Sequence, residues 1–124
     1  MPQYVFDRIH EIMREQNISD FSKVGLYGLT YKENIDDMRE SPTLQLLQIM
    51  NKYNINDIKL YDPWVKDNKF NNQYHDIEGF LNDIDLVIVL VSHDEIKEKQ
   101  ELLSDKIIYD TRNIINYGRE IYRL

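Results

Sequence analysis

The sequence predicts an α/β domain with a Rossmann-like fold: three layers built on a mainly parallel sheet, preceded by an N-terminal helix. Segments of strand character alternate with segments of helical periodicity along 124 residues, which is the length of one domain. The unbroken apolar run at residues 86–91 is typical of a central strand covered on both faces. With 42% hydrophobic and 30% charged residues, the chain has material for a core and for a solvated surface.

The first predicted element is a helix over residues 2–16. Its apolar side chains Val5, Ile9, Ile12 and Met13 fall on one helical face, and charged residues occupy the rest. The helix begins at the start of the chain without a preceding loop. This abrupt start predicts that the chain is a segment of a longer protein.

A first strand and a second helix follow, separated by a polar, charge-rich loop at residues 30–40. The strand is predicted over residues 22–29. Ser41 is a favourable N-cap and Pro42 is favourable at the first helical position, so the second helix is expected to run from there to about Tyr53.

The second half of the chain continues the alternation and ends in a segment whose Tyr and Ile content allows an edge strand. The predicted elements are a strand at residues 58–61, an irregular Asn-rich segment at 64–75, a short helix at 77–82, a strand at 85–91, a helical segment at 93–103, a strand at 106–109 and the edge segment at 114–124.

The expected location of a binding site follows from this fold. In an open parallel sheet, ligands bind beyond the carboxyl ends of the strands, near the point where the strand order reverses. The segments that come directly after the predicted strands are residues 30–40, 62–64, 92–95 and 110–113.

Composition excludes several classes of partner and chemistry. The net charge of −7 argues against nucleic acid, which requires a basic face, but a local Lys/Arg cluster can still hold a small anion. No apolar run approaches the ~20 residues of a membrane span. Cysteine is absent, which removes disulfides and a cysteine nucleophile and is consistent with a cytoplasmic location, and three scattered histidines predict no metal site.

The glycines of the first strand resemble part of a dinucleotide fingerprint. Gly25 and Gly28 are present, but a complete fingerprint has a third glycine at the start of a helix, where the pyrophosphate rests. The next helix begins only at Ser41. The favoured interpretation is therefore that these glycines permit close backbone packing.

The loop at residues 30–40 is the strongest candidate for chemistry. Lys32 is suited to meet a phosphate as a compact charge, and Arg39 is suited to bind one with two parallel hydrogen bonds. The alternative is a solvated charged loop in which Asp36 and Asp37 only stabilise the loop and the following helix start through backbone bonds.

Three other residues have structural interpretations. Ser92-His93-Asp94 contains the residue types of a catalytic triad, but a triad is defined by spatial roles and not by adjacency, so a capping or interface role is expected for His93. Trp64 is expected to pack, and Glu40 is expected to be a helix-start charge.

The stretch from Gly28 to Pro42, Gly-Leu-Thr-Tyr-Lys-Glu-Asn-Ile-Asp-Asp-Met-Arg-Glu-Ser-Pro, resembles the hallmark of the UDP-glucose/GDP-mannose dehydrogenase family. Its length and order make the resemblance specific. Supporting matches cover nearly the whole chain: the segment at residues 1–9, Tyr61-Asp62-Pro63, and the segment at residues 110–113.

The resemblance implies the architecture of a larger enzyme. Family members have an N-terminal NAD-binding domain, a long central helix that forms a homodimer, and a C-terminal domain that holds the UDP moiety. Residues 1–20 would be the end of the linker or central helix region, and residues 21–124 the UDP-sugar-binding domain. The enzymes oxidise the sugar C6 alcohol to a carboxylate with two NAD, and the reacting cysteine precedes this domain, so no catalytic residue is expected here.

The resemblance also implies roles for four residues of this sequence. Tyr31 and Lys32 would contact the UDP-sugar, and Arg112 would face the substrate in the same or the partner subunit. Arg39 would reach across the domain interface toward NAD, most of which is bound by a domain outside this chain.

Details of the motifs favour a particular sugar class. Glu40-Ser41-Pro42 and Ser92-His93-Asp94 resemble members that oxidise UDP-N-acetylhexosamines, particularly UDP-N-acetylmannosamine, for capsule and related surface polysaccharides. Members acting on UDP-glucose, the alternative, more often have Ala in place of Ser41 and a Trp near His93.

Two other classes of protein remain open on the sequence. A receiver domain is also an α/β unit of this size, although Asp36 and Asp37 lie too far beyond the first strand and Asp110-Thr111 stands where its Lys belongs. A stand-alone nucleotide-binding or interaction module is the other alternative.

Overall fold

The computed structural model describes residues 2–124 and consists of a parallel sheet between layers of helices. The helices are α1 (Pro2–Glu15), α2 (Pro42–Lys52), α3 (Ile77–Asn82) and α4 (Asp94–Glu98), with 3₁₀ turns at Phe21–Lys23 and Gln100–Leu103. The strands are β1 (Val24–Tyr27), β2 (Lys59–Tyr61), β3 (Gln73–Tyr74), β4 (Leu86–Val89), β5 (Ile107–Asp110) and β6 (Glu120–Arg123).

The strand order is β3-β2-β1-β4-β5-β6, and every neighbouring pair is parallel. The order reverses between β1 and β4, as in the Rossmann fold. The predicted fold class is therefore confirmed. The receiver alternative is wrong, because that fold has the order 2-1-3-4-5 and its third strand does not lie at the edge beyond the second.

The core lies on both faces of the sheet. All four residues of β4 are buried, and they alternate between the two faces as a strand requires. Leu86 and Ile88 pack in the layer with α1 and α2, whereas Val87 and Val89 pack with α3 and α4. This arrangement confirms that the apolar run marks a strand covered on both sides.

Helix α1 is an integral part of the first layer. Its buried residues Ile9 and Ile12 belong to the same cluster as the strands, and the Phe6 ring stacks on Tyr53 at the end of α2 with 5.2 Å between centroids. At its other end, Gln16 Nε2 donates to the Tyr122 hydroxyl of β6 at 2.9 Å. The predicted N-terminal helix is confirmed.

Two segments differ from the prediction, and the predicted edge strand is confirmed as β6. The segment at residues 64–75 is not wholly irregular, because Gln73–Tyr74 pairs with β2 as an edge strand. The Gln73 amide also bonds the carbonyls of Val65 and Asp67, which folds the loop back on itself. The helical segment at 93–103 is interrupted at Lys99, whose ψ of 31° departs from helical geometry.

The N-cap of α2 yields a stability prediction. Ser41 is fully buried and its Oγ accepts the Leu44 N–H at 3.1 Å, as predicted from the sequence. Replacing Ser41 with Ala is expected to lower the free energy of unfolding by about 1 kcal/mol, because that N–H loses its acceptor. Urea unfolding measures the change, with the exposed Ser104→Ala as the matched control. Equal midpoints for the two variants would contradict the capping role.

Candidate functional site

The candidate site lies at the carboxyl edge of the sheet, where the segments following β1, β2, β4 and β5 meet because these strands are parallel. Residues 30–40, here called the site loop, leave this edge after β1 and enter α2. The site loop carries three of the four residues predicted to bind ligands: Tyr31, Lys32 and Arg39.

Asp62, directly after β2, ties the ends of two strands together. The side chain is fully buried, and its Oδ2 accepts the N–H groups of Leu29 at 2.7 Å and Thr30 at 3.2 Å. Its Oδ1 accepts the Trp64 N–H at 2.7 Å. A buried carboxylate is stable only when it is bonded in this way, so the start of the site loop is held at one position.

His93, the last residue of the segment between β4 and α4, connects Asp62 to the middle of the site loop. Its imidazole is fully buried, with Nε2 2.9 Å from Asp62 Oδ2 and 3.3 Å from Thr30 Oγ1, and its Nδ1 accepts the Asn34 N–H at 2.9 Å. The expected capping role is wrong. His93 stands at the N-cap of α4 without capping it, and the Asn34 side chain instead accepts the Asp94 N–H at 3.1 Å.

This connection was missed by the sequence analysis, although both residues lie in segments that follow strands at the same edge of the sheet. It also excludes a triad at Ser92-His93-Asp94, since both His93 nitrogens are engaged and Asp94 pairs with Lys97 at 3.3 Å. The imidazole is enclosed by protein.

Glu95 secures α4 to the sheet beneath the same edge. Its carboxylate accepts the hydroxyl groups of Tyr27, at 3.1 Å, and Tyr61, at 2.8 Å. Burial, reinforced by the Glu95 charge, raises the pKa of Tyr27 and Tyr61 well above the ordinary tyrosine value. Both hydroxyl groups therefore remain protonated donors at physiological pH.

Tyr31 and Arg39 share an open depression of about 430 Å³ on the outer side of the site loop. Tyr31 is 57% exposed and its N–H donates to the Asp37 carbonyl at 2.7 Å, which closes the loop across its base. The remaining lining residues are Asp37, Glu40 and Gln45. The structure thus brings together two of the four predicted ligand-binding residues.

Arg39 and Asp37 form a bidentate ion pair. Arg39 Nε and Nη2 donate to the two carboxylate oxygens at 3.0 and 2.9 Å, and the Arg39 N–H donates to Oδ1 at 2.9 Å. Bonding by Arg39 lowers the pKa of Asp37 to about 2. The predicted structural role of Asp37 is confirmed. The Arg39 side chain is 88% exposed, and Nη1 has no partner among residues 2–124.

Lys32 and Arg112 are exposed at the same edge of the sheet but do not line that depression. The Lys32 carbonyl accepts the Thr30 hydroxyl at 2.9 Å. Lys32 itself is exposed to solvent. Arg112 follows β5 on a loop organised by the buried Asp110, whose carboxylate accepts four consecutive backbone N–H groups from residues 112–115. Arg123 Nη1 donates a further hydrogen bond to the Asp110 carboxylate at 3.1 Å.

Trp64 borders a second depression, of about 660 Å³, on the other side of the site loop. Its side chain is 45% exposed, so Trp64, which was expected to pack, lies outside the buried core. Asn34 and Pro63 also line this depression. Its charged lining consists of three carboxylates (Asp94, Glu95 and Glu98) and two lysines (Lys66 and Lys99), which disfavours a diphosphate there.

The glycines of β1 pack closely against neighbouring elements, as predicted. A Cβ on Gly25 would lie 2.5 Å from Ile84 Cδ1, and one on Gly28, which has a φ of 103°, would lie 2.6 Å from Val91 Cβ. The start of α2 offers few donors to a pyrophosphate, because Pro42 has no N–H and Ser41 Oγ accepts the Leu44 N–H.

Residues 2–124 contain neither a candidate metal site nor a candidate membrane-spanning helix. Within that range no cluster of three or more His, Asp or Glu side chains is arranged to hold a metal ion. No helix in the same range has both the length and the apolar character needed to cross a membrane.

The sheet is of the Rossmann type, and the loop at its switch point carries cations and is anchored by Asp62 and His93. These features are typical of a nucleotide-binding α/β domain. A sequence profile described as "UDP-glucose/GDP-mannose dehydrogenase family, UDP binding domain" matches residues 25–117. The chain belongs to this family, and it contains the family's UDP-binding domain.

Individual relatives agree with the family assignment. The chain is 35% identical over 95% of its length to the UDP-N-acetyl-D-mannosamine dehydrogenase of Methanococcus vannielii. Among solved structures it is similar to the UDP-N-acetyl-mannosamine dehydrogenase of S. aureus, with a TM-score of 0.77 and 30% identity over 98% of the chain. The UDP-D-ManNAc dehydrogenase of Pyrococcus horikoshii gives a TM-score of 0.80 at 25% identity over 98% of the chain.

The chain spans only part of these relatives. It covers 29% of the Methanococcus vannielii protein, 29% of the S. aureus chain and 30% of the Pyrococcus horikoshii chain.

The ion pair in the site loop yields a titration prediction. In Arg39→Gln, the pKa of Asp37 is expected to rise from about 2 toward the ordinary 3.8, because the two guanidinium bonds to the carboxylate are lost while the backbone N–H bond of residue 39 remains. Carbon-detected NMR of the carboxyl group during an acid titration measures this shift. Arg112→Gln, on a different loop, is the control and should leave Asp37 unchanged. An unaltered Asp37 midpoint in Arg39→Gln would show that the pair does not persist in solution.

Proposed function

We propose that this chain is the substrate-binding domain of an NAD-dependent UDP-sugar 6-dehydrogenase, which oxidises the C6 alcohol of the sugar to a carboxylate. The observation that carries the proposal is the site loop, a family hallmark in sequence that Asp62 and His93 fix at the switch point of the sheet. Under this proposal residues 1–20 end the linker or central helix region, and residues 21–124 form the substrate domain.

Substrate binding is assigned to Tyr31, Lys32 and Arg112. The diphosphate of a UDP-sugar carries two negative charges that require fixed cationic donors, and the exposed Lys32 and Arg112 stand on two loops of the same sheet edge. Tyr31 offers an exposed aromatic face beside Lys32. In a chain of net charge −7, such attraction depends on the placement of a few cations and not on the overall field.

Arg39 is assigned to NAD binding. Under this proposal the chain contributes only one side of the NAD-binding site. The incomplete glycine fingerprint and the occupied N-cap of α2 do not form a pyrophosphate site, so the main NAD site belongs to another domain. Arg39 fits a contact across a domain interface, because its guanidinium is exposed and Asp37 orients it through Nε and Nη2. When bound, NAD supplies the hydride acceptor for the oxidation.

The reacting cysteine is assigned to a part of the enzyme outside this chain. The sequence contains no cysteine, so a thiohemiacetal and a thioester cannot form on these 124 residues. The chain therefore binds and orients substrate without performing either hydride transfer. The partners under this proposal are the N-terminal NAD domain and a second subunit of a cytoplasmic homodimer.

The favoured sugar is an N-acetylhexosamine, and UDP-N-acetyl-D-mannosamine in particular. The Methanococcus vannielii and S. aureus relatives carry that substrate in their names. The Ser41-Pro42 and Ser92-His93-Asp94 motifs support the same class. The product would be a uronic acid for capsule or related surface polysaccharides, and UDP-glucose is the alternative substrate.

The substrate assignment predicts a specific loss of affinity. Lys32→Ala is expected to weaken UDP binding by about 1.5–3 kcal/mol, the range for a hydrogen bond to a charged group. Isothermal titration of this chain with UDP measures the change. Lys66→Ala is the matched control, because Lys66 lines the other, carboxylate-rich depression. Equal affinity in wild type and Lys32→Ala would remove Lys32 from the site.

The absence of cysteine predicts that this chain binds UDP but does not oxidise a UDP-sugar. Mixed with NAD and UDP-N-acetyl-D-mannosamine or UDP-glucose, the purified chain is expected to produce no NADH while it still binds UDP. Absorbance of NADH over an extended incubation tests this. Measurable turnover, abolished by UDP as a competitor, would refute the assignment of the chemistry to another domain.

A further inference from the structure

We propose that His93 is a positioning residue: its imidazole, protonated on Nε2 and bare on Nδ1, fixes the site loop in the conformation that presents Tyr31 and Lys32. The effect of this positioning on UDP-sugar binding rests on the proposed function. The position of the loop itself depends only on the contacts of this buried side chain.

The hydrogen bonds around His93 select one tautomer. The Asn34 backbone N–H can only donate, and it lies 2.9 Å from Nδ1, so Nδ1 is an acceptor. Nε2 lies 2.9 Å from Asp62 Oδ2, which accepts, so the proton of the neutral ring is on Nε2. The second neighbour of Nε2, Thr30 Oγ1, gives its own proton to the Lys32 carbonyl and is therefore also an acceptor. All three contacts agree on the Nε2-protonated ring.

The same bonds determine how the site loop is held. Asp62 anchors its first residues, and His93 anchors Asn34 in the middle. Tyr31 and Lys32 lie between these two anchors, and both are exposed. An anchor on each side restricts the backbone between them, so the two side chains meet a ligand without first ordering the loop.

The Asn34 turn is joined to the segment before α4. Asn34 has a φ of 59°, a left-handed conformation that asparagine adopts more readily than most other residues with a side chain. Its N–H bonds His93 and its side-chain oxygen accepts the Asp94 N–H, so this turn is joined there at two points. Loss of the His93 acceptor removes one of these points and leaves the N–H of Asn34 without its partner.

Two substitutions of His93 separate the roles of its nitrogens. In His93→Asn the amide oxygen stands near the position of Nδ1, so the acceptor for Asn34 is kept. In His93→Gln the amide stands near Nε2, so the contact with Asp62 is kept and the acceptor for Asn34 is lost. His93→Ala removes both. Leu103→Ala is a control for general destabilisation, because Leu103 is buried in the turn that precedes β5, at the opposite edge of the sheet.

Three measurements on this chain test the proposal. Long-range ¹H–¹⁵N spectra of wild type are expected to show protonated Nε2 and bare Nδ1. Amide hydrogen exchange is expected to accelerate at Asn34 in His93→Gln and His93→Ala, and less in His93→Asn. UDP affinity by titration calorimetry is expected to fall about tenfold in His93→Gln and His93→Ala, as loss of one hydrogen bond predicts, and to be largely retained in His93→Asn.

Each contrary result has a distinct meaning. A protonated Nδ1 in wild type would overturn the proposal even if no variant folds. Unchanged exchange at Asn34 and unchanged UDP affinity in His93→Ala would overturn it, as would an equal loss of affinity in Leu103→Ala. If wild type does not bind UDP at all, the proposed function fails, and exchange at Asn34 alone then decides whether His93 positions the loop.

Discussion

The buried carboxylate of Asp62 is the interaction on which the candidate site depends. A charge removed from water is costly unless hydrogen bonds replace its hydration, and Asp62 obtains those bonds from the backbone N–H groups of Leu29, Thr30 and Trp64 and from the His93 imidazole. These donors belong to the segments that follow β1, β2 and β4. The hydrogen bonds of Asp62 therefore hold these three segments in one arrangement. The site loop, which begins in the first of them, is positioned by the same bonds.

This arrangement changes how a Rossmann sheet presents itself to a nucleotide. In a dinucleotide-binding domain, the helix after the first strand offers free N–H groups to a pyrophosphate. Here Gly28 packs against Val91, and at the start of α2 Pro42 has no N–H while Ser41 Oγ accepts the Leu44 N–H. The strand order is retained, but the helix start offers few free donors. The site loop between β1 and α2 is the longest segment at the switch point, and under the proposed function its side chains contact the ligand.

The two predicted arginines are each accompanied by an ordered acid. Asp37 holds the guanidinium of Arg39 directly, and Asp110 organises the backbone from which Arg112 projects. Such pairing limits the flexibility of an arginine at the surface and lowers the entropy lost when it binds an anion. Under the proposed function, a chain of net charge −7 can therefore offer anion-binding groups, because two of its acids, Asp37 and Asp110, order the segments that carry the arginines.

The sequence by itself determined the local features: the strand and helix alternation, the Ser41-Pro42 helix start, the strand buried on both faces at β4, and the family hallmark at residues 28–42. These depend on periodicity, caps and contiguous motifs, which neighbouring residues encode. Only the tertiary structure decided the pairing of β3, the exposure of Trp64 and the contact between Asp62 and His93. The last pair is 31 residues apart in the chain, and it forms because β2 and β4 flank β1 and end at the same edge of the sheet, a relation that no local pattern carries.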